Sequence, residues 1–494
     1  MLLKTLLTKT PVEETLGSAE REITSIAYDS RRVAKGALFV ALPGEKVDGA
    51  EFIRQAIERG AEAIVTEKPL TQSKVTSIKV PDARKALADL SNAFYRYPAG
   101  KLKLVAVTGT NGKTTTTFLL KHLLESAGVR TGLIGTVRYE IGERLLPATR
   151  TTPESLDIND MLSQVVNSGG KAAVMEVSSH ALALSRVHGM EFNVAIFTNL
   201  TQDHLDYHRT MTDYFEAKAK LFSQLASQTR KEGTAVINID SPHGEQLIQR
   251  HGREIPVITY GVGANAQFRA GNFKTEAGQT TYQLDANSRM FLVRLPLIGR
   301  FNIYNSLAAL AAASALGLSI RDCVQALAKA PQVPGRLEAV LIKRQFQVFV
   351  DYAHTDDALV SVLKTLRELN PNRLIVVFGC GGSRDRAKRP KMGAAASEYA
   401  DYAIVTSDNP RKEDPEAIIA DIVPAMRAGK YEVIVDRQEA IFRAVALAGP
   451  RDIVLIAGKG HETYQEFADS TIPFNDVEVV ASAVGSLPIK LSDQ

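Results

Sequence analysis

Of everything in these 494 residues, the run Val105-Ala106-Val107-Thr108-Gly109-Thr110-Asn111-Gly112-Lys113-Thr114-Thr115 leaves the chain the fewest ways to fold. Its apolar start reads as a buried strand. Thr114 to Ala127 reads as a helix, with Phe118, Leu119, Leu123 and Leu124 on one side and Gly128 as its C-cap. Glycines between the two let backbone amides turn inward at a helix N-terminus, which makes a phosphate cradle. Lys113 is then placed to reach terminal phosphates, and the Thr114 hydroxyl to ligate a magnesium ion. The spacing is shorter than the general phosphate-loop pattern, because Val107 stands where the first glycine of GxxxxGK[ST] belongs.

A strand feeding a helix in this way predicts an α/β chain, and its length exceeds what one core supports, so about three domains are expected. The first, residues 1–98, reads as a small α/β unit with strands at Ile23–Tyr28, Ala37–Leu42 and Ala63–Thr66 and a helix at Phe52–Arg59. Tyr28-Asp29-Ser30-Arg31 and Pro43-Gly44-Glu45-Lys46-Val47-Asp48-Gly49 are its polar turns. Residues 99–333 alternate strand and helix, as a mostly parallel sheet requires, and residues 334–494 do so again in a Rossmann-like pattern. Pro98 with Gly100, and Ala330 to Arg336, mark the two linkers. Residues 255 to 298 look like an antiparallel excursion.

A net charge of +4 spread over such a length implies no nucleic-acid footprint. Cys323 and Cys380 have no zinc spacing and fit a reducing compartment. The opening Met1-Leu2-Leu3-Lys4 is too soon interrupted to be a signal peptide, and the longest apolar run, Leu307 to Leu318, is too short to span a bilayer. A cytoplasmic address without membrane insertion follows.

In the central stretch, Ala172 to Val177 ends in Glu176-Val177-Ser178-Ser179-His180, and Val194 to Thr198 ends in Asn199 to Asp206. Carboxyl ends of parallel strands share one sheet edge, so Glu176 and His204 should approach Lys113 and Thr114, either as metal ligands or as helix caps. The helix Met211–Ser227 has Met211, Tyr214, Phe215, Leu221, Phe222 and Leu225 on its apolar face, with Lys218 in the middle of it. Lys220 is rotated from Lys218 by about 200° and points to water. Lys218 therefore either snorkels or is desolvated, and a desolvated amine is neutral and able to add carbon dioxide. Asn302 and Asn305, opening an alanine-rich helix, could cap it or bond a purine edge.

The third stretch has strands at Val348–Tyr352, Leu374–Phe378, Tyr402–Thr406, Glu432–Val435 and Ile453–Ala457. Its Gly379-Cys380-Gly381-Gly382 turn lacks the third glycine of a dinucleotide fingerprint, and Arg384, Arg386, Lys388, Arg389 and Lys391 follow directly, which suggests an anionic ligand. Ser407-Asp408-Asn409-Pro410-Arg411 and Gly458-Lys459-Gly460-His461-Glu462 come to the same edge.

Taken in order, Thr108 to Thr115, Glu176 to His180, Asn199 with Asp203-His204-Leu205-Asp206, Asn302 with Asn305, Pro334-Gly335-Arg336 and Asp351-Tyr352-Ala353-His354 resemble the motif set of the Mur ligases, the ATP-dependent amide-forming enzymes of peptidoglycan precursor synthesis. Thr151-Thr152-Pro153-Glu154-Ser155 and Asp408-Asn409-Pro410-Arg411 are similar to the member that adds the third stem-peptide residue, with meso-diaminopimelate rather than L-lysine as the incoming amino acid. The resemblance implies that Gly109, Thr110, Asn111, Gly112, Lys113, Thr114 and Thr115 hold the ATP phosphates, with Asn302 and Asn305 on adenine, Arg336 on phosphate and Asp351 on ribose. It implies magnesium on Thr114, Glu176, His204 and Lys218, the last as N6-carboxylysine. Lys113, Lys218, His204 and Glu176 would be the catalytic set. Ser30 would touch the UDP group, and Thr151, Thr152, Ser178 and Arg186 the muramoyl-dipeptide. Arg384, Asp408, Asn409, Pro410, Arg411, Gly458 and Glu462 would bind the amino acid.

Ser383, Ala387 and Asp356 depart from the family pattern, where aspartate, glycine and proline are usual. The partners implied are ATP, UDP-MurNAc-dipeptide and meso-diaminopimelate, with the chain as a monomer whose third domain closes over the central one. A ligase taking L-lysine instead, and a folylpolyglutamate-type ligase sharing the phosphate loop, are the rival readings.

Overall fold

The computed structural model describes residues 1–44, 47–69, 74–276 and 278–487, so Glu45 and Lys46 of the second N-terminal turn lie outside the described residues. The chain forms two compact units, Met1–Phe268 with Ala308–Cys323, and Arg269–Leu307 with Val324 onward.

Within the first unit, the N-terminal stretch makes a five-stranded sheet in the order Glu14–Leu16, Thr76–Lys79, Ala61–Thr66, Ala37–Val40, Ser25–Ala27. Only the outermost Glu14–Leu16 runs antiparallel to its neighbour. Helix Ala83–Phe94, capped by the Asp82 carboxylate, lays Ala83, Leu87 and Leu90 on the sheet. The Thr76–Lys79 strand is one the sequence reading did not find.

The central sheet of this unit runs Val257–Gly261, Thr234–Asn238, Val194–Phe197, Lys103–Thr108, Ala172–Glu176, Thr131–Ile134, Arg138–Ile141, Arg144–Pro147. The first six are parallel and the last two antiparallel. All residues of Ala172–Glu176 and Val194–Phe197 are buried, as strands covered on both faces must be. The excursion expected over 255–298 starts later than anticipated. Val257–Gly261 pairs parallel with Thr234–Asn238, and the antiparallel ladder joins Gln279–Ala286 to Arg289–Leu295 in the second unit.

The second unit carries a six-stranded sheet in the order Glu338–Val340, Gln347–Asp351, Ile453–Ala457, Leu374–Phe378, Tyr402–Val405, Tyr431–Val433, parallel except at its first pair. Strand Ile453–Ala457 and strand Tyr402–Val405 therefore flank Leu374–Phe378, and all three release their loops at one edge. Among the described residues, no helix is long and apolar enough to cross a membrane, and both cysteines are buried and unpaired.

Candidate active site

The strand entering the phosphate loop sits between two others whose registers bring Glu176 opposite Val107 and Phe197 opposite Thr108. Their carboxyl ends deliver three loops to one place. Gly109 at φ 145° and Gly112 at φ 86° take backbone conformations that side-chain-bearing residues rarely adopt. A Cβ at Gly109 would also collide with the Thr198 hydroxyl. The neighbouring strand end pins the loop. Asn199 accepts the Thr110 amide on its carbonyl at 2.9 Å and the Asn111 amide on its side-chain oxygen at 3.0 Å, while the Thr198 hydroxyl donates to the Asn111 carbonyl at 2.7 Å. Lys113 Nζ folds back onto the Gly109 and Thr110 carbonyls at 3.0 and 2.8 Å, from which an incoming phosphate can recruit it.

Lys218 does not snorkel. It is 1% exposed, its Nζ donates to the Gly109 carbonyl at 2.8 Å, and it lies 4.5 Å from the centre of the Tyr214 ring. Burial, with the Lys113 ammonium adding to it and Asp203 opposing, holds the amine well below the ordinary lysine range. Lys220 is exposed, as the helix period requires. Tyr214, one turn before Lys218, also reaches the loop, its hydroxyl 3.1 Å from Thr110 Oγ1. Nothing beyond its apolar-face position marked Tyr214 in the sequence.

Glu176 is buried, and Thr136 holds both its oxygens, by the amide at 2.8 Å and by the hydroxyl at 2.9 Å. The same Thr136 hydroxyl lies 3.0 Å from Thr151 Oγ1. His204 caps a one-turn helix with φ 55° rather than with its side chain. Its ring meets His180 edge-on at 5.0 Å, which joins the Glu176–His180 loop to this cluster. Burial, and then Lys113, His180 and Lys218, push the imidazole down to about 4 against Asp203, so it is neutral at neutral pH with a lone pair to offer. Thr114 is buried on the first turn of helix Lys113–Ser126. Among the described residues, no three His, Cys, Asp or Glu side chains form a group that could hold a metal ion.

Thr152, Ser178 and Arg186 also meet. The Thr152 hydroxyl donates to the Glu176 carbonyl at 2.8 Å and accepts the Ser178 amide at 3.1 Å, and Arg186 Nη1 donates to the Thr152 carbonyl at 2.8 Å. Glu154, part of the Thr151–Ser155 motif but without a role assigned from sequence, gathers Arg186 at 2.8 Å, Arg150 at 2.9 Å and Arg84 at 3.8 Å. Three guanidiniums on one carboxylate leave positive charge in excess. Ser30 bonds Gln55 at 2.6 Å. The turn around it is tied to Asp157 by the Tyr28 hydroxyl at 2.6 Å and by Arg32 at 3.5 Å.

In the second unit, Asn302 donates to the Ile298 carbonyl at 2.9 Å and accepts from Asn305 at 2.9 Å, so both buried asparagines tie down their helix start. Arg336 stacks on the Tyr352 ring at 4.9 Å. The buried Asp351 carboxylate accepts the Leu337 amide at 2.5 Å, and burial pushes it up to about 6 despite Arg336 and the amides of Leu337 and Ala353.

The last set converges on Asn409. Its Nδ2 donates to Glu462 at 2.8 Å, and its Oδ1 accepts from the fully buried Lys459 at 2.9 Å and from the Glu466 amide at 3.0 Å. Burial raises the Glu462 carboxyl while Lys459 holds it at 3.2 Å. Arg411 donates to the Gly382 carbonyl and pairs with Glu466. Asp408 is buried against Gly458, where a Cβ would collide with its carboxylate, and Pro410 is buried beside it. Of the five cations after the glycine turn, most are occupied within the fold. Arg389 is fully buried between Glu413 and Asp421, Arg386 pairs with Asp421, and Lys388 donates to the His354 carbonyl, which leaves Arg384 and Lys391 exposed. Within that run, Arg386, Lys388 and Arg389 have partners in the fold, and Arg384 and Lys391 are the cations left exposed to an anionic ligand. Ser383 takes φ 55° and its amide bonds Glu413; nothing in the structure explains Ala387 or Asp356 as departures.

Three family patterns match the chain, the Mur ligase family catalytic domain over 22–95, the Mur ligase middle domain over 107–313, and the Mur ligase glutamate ligase domain over 335–460. The chain is 46% identical over 485 residues, 97% of itself and 98% of the relative, to the UDP-N-acetylmuramoyl-L-alanyl-D-glutamate--2,6-diaminopimelate ligase of Syntrophomonas wolfei subsp. wolfei. A solved structure of a ligase bearing that same name superposes with a TM-score of 0.70 at 36% identity, covering 95% of this chain and 96% of the other. Folylpolyglutamate synthase of Mycobacterium tuberculosis, solved with ADP and AMPPCP, matches at TM-score 0.64 and 19% identity over 82% of this chain and 96% of its own, a likeness of fold.

Proposed function

The chain belongs to the Mur ligase family, and from that premise we propose that it is the ADP-forming ligase joining diaminopimelate to UDP-N-acetylmuramoyl-L-alanyl-D-glutamate in peptidoglycan precursor synthesis. The observation that carries the chemistry is the buried Lys218 amine bonded to the Gly109 carbonyl of the phosphate loop. Peptide synthesis from a carboxylate needs that carboxylate activated. The D-glutamyl γ-carboxylate attacks the ATP γ-phosphorus, ADP leaves, and an acyl phosphate forms. The neutral amine of diaminopimelate then adds to the acyl carbon, and phosphate departs as the nitrogen loses its proton. Lys113 would neutralise charge on the phosphates, with the Gly109–Thr115 amides cradling them. Asn302 and Asn305 would face adenine, Arg336 phosphate and Asp351 ribose.

Magnesium would draw on Thr114, Glu176 and His204, with substrate phosphate completing its shell. Thr114 and Glu176 supply oxygen donors and His204 a neutral imidazole, but the unmodified side chains lack a three-carboxylate or histidine set. A carbamate on Lys218 would add the missing anionic oxygen, and the amine's low basicity favours its formation. When bound, the metal supplies charge neutralisation on the transferring phosphoryl group. Thr151, Thr152, Ser178 and Arg186 would orient the dipeptide and Ser30 the UDP end. Arg384, Asp408, Asn409, Pro410, Arg411, Gly458 and Glu462 would take the amino acid, the guanidinium of Arg411 or Arg384 favouring the second carboxylate of meso-diaminopimelate over L-lysine.

We assign domains to 1–98, 99–333 and 334–494, bounds supported by the three matched patterns, and read the enzyme as a cytoplasmic monomer. Phosphate release assayed with ATP and the UDP-linked dipeptide tests the reading, with diaminopimelate, lysine and glutamate supplied in turn. Diaminopimelate should drive release. Release only with glutamate and a folate acceptor would overturn the assignment.

A further inference from the structure

The second unit contains a charge pair with no role in the chemistry so far. Arg437 opens helix Arg437–Leu447 and Asp476 opens helix Asp476–Ser486, and both side chains are completely buried. They meet as a fork, Nε to Oδ1 and Nη2 to Oδ2, each at 2.8 Å. The guanidinium then reaches two backbone carbonyls, Nη2 to Ala457 at 3.0 Å and Nη1 to Ser407 at 3.4 Å. Ser407 immediately precedes Asp408, and Ala457 immediately precedes Gly458.

The strands that lead to these carbonyls are not neighbours. Leu374–Phe378 lies between Ile453–Ala457 and Tyr402–Val405, so no ladder hydrogen bond joins the two strands directly. A planar guanidinium with donors on both sides can span that gap, and Asp476 fixes its orientation by occupying the fork. Stability alone is a poor reason to bury such a pair, since apolar residues of similar volume serve a core equally well or better.

We propose that Arg437, oriented by Asp476, is a positioning residue for the amino-acid substrate, setting the separation between the Asp408–Arg411 and Gly458–Glu462 loops. The inference rests on the amino-acid site proposed above. Neither side chain needs to touch substrate for this role. Its signature is selective, because only the substrate held between those loops should feel their spacing.

The test varies each of the three substrates in turn for the double variant Arg437→Met/Asp476→Leu, which removes both charges together, and for Arg437→Lys, which keeps the charge and loses the fork. The double variant should raise the KM for diaminopimelate by about tenfold or more while the KM values for ATP and the UDP-linked dipeptide stay within about twofold, and Arg437→Lys should fall between it and the parent. If the double variant melts early, Arg437→Lys alone carries the same readout. An unchanged diaminopimelate KM in a folded variant, or an equal rise in all three, overturns the proposal. Asn409→Ala separates the two readings. Should it leave the diaminopimelate KM unmoved, the amino-acid site itself is misplaced; should it raise that KM while the Arg437 variants do not, the positioning role fails alone.

Discussion

Lys218 is the side chain on which most of the chemistry turns, and its environment makes two demands. An amine held below its ordinary basicity inside the protein can take up carbon dioxide, and a neutral Ala in its place removes the nitrogen altogether. Lys218→Ala should lower kcat by at least about a hundredfold, with partial recovery on adding short carboxylates that occupy the space of the lost carbamate. Full activity without them would refute the role. Its burial was legible from the i, i+3, i+4 spacing of the apolar residues around it. Its bond to Gly109 was not, since that contact closes 109 residues of chain and depends on how the helix packs on the sheet. Asp351 gives a second prediction. Its carboxyl is pushed from 3.8 to about 6, chiefly by burial, so the folded protein binds this proton more tightly than the unfolded chain does. Stability from this group is therefore present below pH 4 and lost as pH rises through about 6, by up to about 3 kcal/mol. Asp351→Asn should melt above the parent at pH 7.5, and the gap should shrink toward pH 5. A gap that does not change with pH would mean another group sets that titration.

The strand–loop–helix element at Lys103–Ser126 was the most legible part of the fold, because an apolar run, two glycines and a threonine-rich helix start leave little freedom. Its loop geometry gives a sharper prediction than its sequence did. Gly109 combines φ 145° with a neighbour, Thr198, that leaves no room for a methyl group. Gly109→Ala should abolish nucleotide binding in a titration with a fluorescent ATP analogue while the N-terminal sheet stays folded; retained affinity would show that the loop can reshape around the added carbon. Elements defined by pairing rather than by local pattern were harder to read. Arg138–Ile141 and Arg144–Pro147 extend the central sheet as antiparallel strands; Val137 to Ile141 alternates as a strand should, but that alternation does not say which sheet edge the strand joins. The cations after Gly379 looked available to a ligand because their partners, Glu413 and Asp421, lie on a later loop and helix.

Over the whole molecule, the residues proposed to hold ATP come from widely separated stretches of sequence, 109–115 on one hand and Asn302, Asn305, Arg336 and Asp351 on the other. The pattern of alternating strands and helices reads as three successive domains. It could not tell that residues 269–307 pack with the second unit while 308–323 return to the first, because a helix such as Arg300–Ala315 has no local mark where its long-range contacts change. An acyl phosphate survives only where water is kept from it, so nucleotide and sugar-peptide together should order the backbone of every segment proposed to hold them. Hydrogen exchange with a nonhydrolysable ATP analogue and the UDP-linked dipeptide should slow amides at 109–115 and also at 299–306 and 335–352. Adding diaminopimelate should extend the protection to 407–411 and 458–462. Protection confined to 109–115 would mean that the phosphate loop holds the nucleotide unaided, and the assignments of Asn302, Asn305, Arg336 and Asp351 would fall together.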